Sequence, residues 1–278
     1  MNLGPLDTLF DFLRDDIIAG NLALGMWMLL ALLLVAQEIG YRLGRFMRRR
    51  REPPEAEKSS LNFATAGMVG LLAFLLGISL SMASGRYEAR RDSVLAEANS
   101  IGTTWLRAGM VGGVEGQAIQ RTLRDYTRLR IDTINGGESP DEVERMYART
   151  AALQNDMWQA AQRAAERAPT PITALMVGSL NETIDLSLTN RRNFSTNVPA
   201  YVIRLLILVS MLTMGAIGYG FGIVGGRQVI MSVLFLFIWT ISIALIVDID
   251  RPRSGGIRVG TTPLVWTLQG FGPEPPGR

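Results

Sequence analysis

The chain has 278 residues, 48% of them hydrophobic, and 28 basic against 25 acidic side chains leave a net charge of +3. It contains no cysteine and no histidine. That excludes disulfides, thiolate metal sites and iron–sulfur clusters, and it removes the usual general base and the usual switch near neutral pH.

The N-terminal segment, residues 1–20, reads as a short amphipathic helix from Pro5 to Ile18, with Leu6, Leu9, Phe10, Leu13 and Ile17 on one face. A helix of this kind lies along a membrane surface. Asp7, Asp11, Asp15 and Asp16, with no basic region before an apolar run, argue against a cleavable signal.

Four stretches then carry no charged side chain: 21–37, 59–85, 205–226 and 228–247. About 20 apolar residues of helix cross a hydrocarbon layer of about 30 Å, so these define four spans, at 21–41, 61–85, 200–224 and 228–247. The first ends at Gln37 and Glu38, with Arg42 one helical turn after Glu38 in the favourable order. A basic loop, 42–60, follows, with Arg48 to Arg51 in one run, Pro53-Pro54 as a break and Lys58 as the chain's single lysine. The run reads as an anchor facing anionic lipid rather than a nucleic-acid site.

The second span is rich in small residues at helical spacing: Ala66 and Gly70, then Ala73, Gly77, Ser81 and Gly85. Such a row lets helix backbones approach closely. Two readings stand side by side. The row is the tightest contact within one subunit, or it packs around a symmetry axis and lines a pore. In the second case Gly70, Phe74, Gly77 and Ser81 face the conduction path, with Phe74 as a constriction that gates by wetting.

Past Gly85 the helical pattern continues to about Leu106 and opens an extramembrane block, 86–199, with 14 arginines against 14 acidic residues. Helices are expected from about Glu115 to Ile134, from a capping box at Ser139-Pro140 with Glu142 to about Arg167, and from Ile172 to about Asn193. Glu182 and Asp185 share a helix face; pairing with Arg191 accounts for them without a metal. Glu38 and Arg204, near span ends, are expected to reach the headgroup layer.

After the third span, Gly220-Phe221-Gly222-Ile223-Val224-Gly225 has the spacing of a dinucleotide-binding loop, but it ends an apolar helix where a βαβ unit is required. It is read as close packing and a tight turn. The tail, 248–278, opens with a polar cluster, Asp248, Asp250, Arg251 and Arg253, and closes in a Pro/Gly stretch expected to be disordered. No nucleophile–base pair, metal set or cofactor motif emerges, so catalytic, cofactor and metal residues are expected to be none.

Gln37-Glu38-Ile39-Gly40-Tyr41-Arg42, Ser84 to Arg91, Glu97 to Thr104, Leu180 to Asp185 and Asp248 to Arg253 together resemble the bacterial bestrophin-like family of uncharacterised membrane proteins. The resemblance spans nearly the whole chain. It implies kinship with bestrophins, pentameric anion channels with four membrane helices per subunit and a helical cytosolic domain. No acidic calcium clasp of the bestrophin kind is evident.

The expected fold is therefore all-α: a four-span integral membrane bundle with a helical extramembrane domain between the second and third spans. The expected function is an oligomeric channel for small anions in a bacterial inner membrane, without enzymatic activity. Its partners are the lipid bilayer and further copies of the chain, with no nucleic acid. The alternative is a non-conducting protein whose helical block binds a partner or senses the envelope. Short-loop charge, Arg42 to Lys58 and Arg227, places the loops in the cytoplasm and the helical block outside. The resemblance implies the reverse.

Overall fold

A computed structural model describes residues 22–51, 53–136, 139–253 and 255–273. The amphipathic segment expected at Pro5 to Ile18 lies outside the described residues. The described residues form helices and no strands: α1 (Leu22–Arg50), α2 (Glu55–Val111), α3 (Gly113–Asn135), α4 (Pro140–Arg167), α5 (Pro171–Ser195), α6 (Ala200–Val224), α7 (Val229–Asp250) and α8 (Thr262–Gly270).

Several ends follow from local chemistry. The arginine run expected in a loop is helical: α1 continues through Arg50, with Arg48, Arg49 and Arg50 in its last turn. Cations there complement the carbonyl end of the helix dipole, and Pro53 and Pro54 prevent continuation. Ser139 caps α4, its hydroxyl accepting the Glu142 N–H at 3.2 Å, with Pro140 at the first helical position. Thr170 does the same for α5, accepting the Thr173 N–H at 3.2 Å ahead of Pro171. Gly225, at φ 87°, ends α6 in the left-handed conformation, its N–H bonded to the Phe221 carbonyl at 2.9 Å.

The chain divides into two compact units, one of residues 1–85 and 197–251, the other of 86–196 and 252–278. The first unit holds the four helices long and apolar enough to cross a membrane: α1, the N-terminal part of α2, α6 and α7. A core of Leu29, Leu33, Leu72, Leu206, Met214, Leu236 and Ile243 joins them. Trp239, also buried there, donates its indole N–H to the Ser210 hydroxyl at 3.2 Å, as a buried tryptophan requires.

The second unit takes the rest of α2 with α3, α4, α5 and α8. Its core runs through Val94, Ile101, Ile119, Leu123, Met157, Met176, Leu180 and Leu264. Within the tail, α8 packs here, and Phe271 stacks on Trp105 with ring centroids 3.9 Å apart; most of the closing Pro/Gly stretch lies outside the described residues. Arg124 fixes the end of α8, its guanidinium donating to the Phe271 and Gly272 carbonyls at 3.0 Å each.

Candidate functional site

The helix that matters most is α2. Its 57 residues span about 85 Å at 1.5 Å per residue, far beyond a hydrocarbon layer. In the first unit, Leu72, Ser79 and Ala83 turn inward and are buried. The other side of the helix has no partner among the described residues of the subunit. Gly70, Phe74, Gly77 and Ser81 recur at helical spacing and all are exposed, Phe74 at 64%. A methyl group added at Gly67, Gly70, Gly77 or Gly85 would meet nothing within 4 Å. Only 11% of the apolar window of α2 is buried, against 28%, 22% and 39% in the other three spans. Among the described residues, an uncharged face of small side chains interrupted by Phe74 is thus left uncovered along the membrane part of α2.

The tight contact within the subunit is elsewhere, between α1 and α6. A Cβ at Gly40 would collide with the Gly215 carbonyl, one at Gly44 with the Tyr219 carbonyl, one at Gly218 with the Gln37 carbonyl and one at Gly222 with the Tyr41 carbonyl. Two rows with four-residue spacing, Gly40 with Gly44 and Gly218 with Gly222, let the backbones touch. The glycines resembling a dinucleotide loop therefore serve helix packing at Gly222 and the turn at Gly225.

Polar groups gather at one end of this unit. Glu38 accepts Arg42 Nε at 2.8 Å and both its oxygens accept Arg227, at 2.9 and 2.8 Å. Arg227 also lies over the Tyr41 ring, 4.4 Å from its centroid. Glu38 thus joins α1 to the α6–α7 turn.

The polar residues near the end of α7 divide between the units, Asp248, Asp250 and Arg251 in the first and Arg253 in the second. Asp248 and Arg251 are buried, and both oxygens of Asp250 accept the Val198 N–H at 2.9 Å, holding the chain that enters α6. Arg253 belongs to the second unit, where its guanidinium donates to the Tyr147 hydroxyl at 2.8 Å and sits 5.3 Å from the Phe194 ring centroid. The expected pairing of Arg191 with Glu182 or Asp185 is not made. Arg191 binds Glu144 at 3.0 Å and covers the Tyr147 ring, while Asp185 accepts from Asn181 at 3.0 Å. Among the described residues no group of three or more acidic side chains could hold a metal ion.

Sequence reasoning missed the buried charge of the second unit. Glu97, on α2, accepts Arg130 Nε at 2.7 Å and Nη2 at 3.0 Å, and the Tyr126 hydroxyl at 2.7 Å. The Arg130 and Glu97 side chains are 1% and 0% exposed. Burial, reinforced by the neighbouring Glu97 carboxylate, pushes the Tyr126 phenol far above its ordinary pKa. Burial works against the charge on Arg130, but attraction to Glu97 outweighs it and raises its pKa. Beside this pair, Ser100 and Thr104 each bond the Thr183 hydroxyl, at 2.9 and 3.0 Å, joining α2 to α5. The only sequence signal was Glu97 itself, a charge among Val94, Ala98 and Ile101, all buried.

Residues 28–264 match the family model of the Bestrophin-like domain. Among solved structures, a bacterial bestrophin homologue from Klebsiella pneumoniae is similar at a TM-score of 0.59 and 15% identity, covering 90% of this chain and 96% of that one. A mutant form of that homologue gives a TM-score of 0.61 at 14% identity, over 88% and 96% of the two chains. A structure described as a membrane protein gives 0.61 at 14% identity, over 92% and 100%. No curated protein matches.

Proposed function

The chain belongs to the bestrophin-like family, and from that premise we propose that it assembles into a membrane channel whose path is lined by α2 and which passes small anions. The observation that carries this reading is the uncovered face Gly70, Phe74, Gly77 and Ser81. Small side chains opposed to nothing among the described residues of the subunit are suited to close approach by further copies around an axis. Placed there, one such face per copy would surround a narrow, uncharged passage with Phe74 as its widest side chain.

An uncharged passage discriminates by how readily an ion sheds water rather than by opposite charge. Weakly hydrated monovalent anions are the natural cargo, in keeping with bestrophins as anion channels. The inner membrane of a bacterium is the setting the family resemblance suggests.

Purified protein in planar bilayers tests the reading. Chloride-carrying single-channel currents are expected, increased by Phe74→Ala and abolished by Gly77→Leu, with both variants still oligomeric by size and light scattering. Silence from correctly assembled protein would reject conduction and leave the partner-binding alternative.

A further inference from the structure

We infer that the second unit carries an anion site, formed where Arg86 and Arg192 line one cavity, and that its ligand is a phosphate group of the kind borne by an anionic lipid. The cavity measures about 310 Å³ and is lined by Arg86, Ala89, Arg192, Asn193 and Thr196. That is the lower end of the range for small-ligand pockets, about 300–1,000 Å³.

The charge on its walls is unbalanced. The lining holds two guanidiniums and no carboxylate. Asn193 already donates its amide to the Ala89 carbonyl at 3.1 Å, and the Thr196 hydroxyl donates to the Arg192 carbonyl at 2.7 Å. The acids nearest in sequence on α2, Glu88 and Asp92, lie about 200° and 240° around the helix from Arg86 and project from its other side.

A structural role for the two arginines would be to complement the carbonyl end of α5. That end carries about half a negative charge. Arg90, fully buried, already answers it, donating Nε to the Asn193 carbonyl at 3.2 Å and Nη2 to the Thr196 carbonyl at 2.9 Å. Arg86 and Arg192 are therefore surplus positive charge on a cavity wall. Two guanidiniums offer paired N–H donors, the arrangement that suits phosphate oxygens.

Chain connectivity favours a lipid as the source. Arg86 is the first charged residue after the uncharged run 59–85, and Thr196 precedes α6 by four residues. Cations close to the end of a span attract anionic headgroups within about a Debye length.

The test uses the full chain, purified in neutral detergent, and reads its thermal midpoint. Short-chain phosphatidylglycerol is expected to raise the midpoint by about 3 °C at saturating concentration, with little effect from short-chain phosphatidylcholine. The double variant Arg86→Gln/Arg192→Gln should lose the shift. So should Ala89→Glu, which keeps both arginines and places a carboxylate on an exposed wall position, while Arg163→Gln on the exposed side of α4 should keep it. A shift of equal size with inorganic phosphate alone would identify a free anion as the ligand of the same site. No shift with either probe, a shift that phosphatidylcholine matches, or one that survives in the double variant would overturn the assignment.

Discussion

At the level of single residues, Glu97 has the largest consequences. It is the shared acceptor for Arg130 and Tyr126, and all three side chains are shielded from water. Replacing a buried pair with apolar groups can be neutral, but removing one partner leaves a charge without compensation, at a cost of about 3–5 kcal/mol. Glu97→Gln is therefore expected to lower stability by about that amount, whereas Tyr126→Phe, which removes one bond to the carboxylate, should cost about 1–2 kcal/mol. Denaturant titration in detergent, followed by tryptophan emission, checks the order; equal costs would show that Arg130 is solvated. Tyr126 also sets an alkaline limit. Its folded pKa lies above the ordinary value of 10.0, so the folded state holds the phenolic proton more tightly than the unfolded chain. This contribution is complete below pH 10 and is lost as pH rises beyond it. The wild type should lose stability above pH 10 more steeply than Tyr126→Phe, as read from thermal midpoints across that range.

At the level of elements, glycines with the same sequence spacing have opposite surroundings. Gly218 and Gly222 stand against the backbone of α1, whereas Gly70 and Gly77 stand against nothing among the described residues. Gly222→Ala should therefore destabilise the subunit by about 3 kcal/mol through overpacking that neither backbone can relieve. Gly70→Ala should leave the isolated subunit within about 0.5 kcal/mol, any larger effect appearing in assembly or conductance. Denaturation of dilute protein, compared with crosslinked oligomer, separates the two; a large loss in the monomer for Gly70→Ala would place a partner on that face within the chain. This contrast also shows what the sequence could reveal. Capping at Ser139-Pro140 and breaks at Pro53-Pro54 depend on neighbouring residues and were legible locally. The four-residue spacing of small side chains was legible too, but which row meets which partner depends on tertiary contact, so the α1–α6 crossing was not. Glu97 and Arg130 lie 33 positions apart, and no local pattern links them. The nine residues of α8 are too few to show a periodic face, and Phe271 finds its partner, Trp105, only in the folded unit.

At the level of the whole molecule, the remaining question is which end of the membrane unit faces the cytoplasm. The bonds from Glu38 to Arg227 put the end of the apolar part of α1 and the α6–α7 turn together. The cations of both connections, Arg42, Arg45, Arg48 to Arg51, Lys58 and Arg227, therefore belong to the same end of that unit. Because α1 continues as a helix to Arg50, Arg42, Arg45 and Arg48 to Arg50 are carried on a helix end, with four residues between it and the start of α2 at Glu55. Dense positive charge in a short connection is the strongest topological signal a span pair can carry. The competing set, Arg86, Arg90, Arg91, Arg251 and Arg253, puts fewer cations into any one short connection. On this count the α1–α2 connection is expected in the cytoplasm and the second unit outside, the reverse of the bestrophin arrangement. The absence of native cysteine makes the measurement simple, since single-cysteine variants report without background. Glu57→Cys should resist a membrane-impermeant maleimide in intact cells, and Arg163→Cys, at an exposed position of α4, should label fully. The opposite pattern would place the second unit in the cytoplasm and show that its arginines, together with those of the tail, outweigh the helical arginine run of α1.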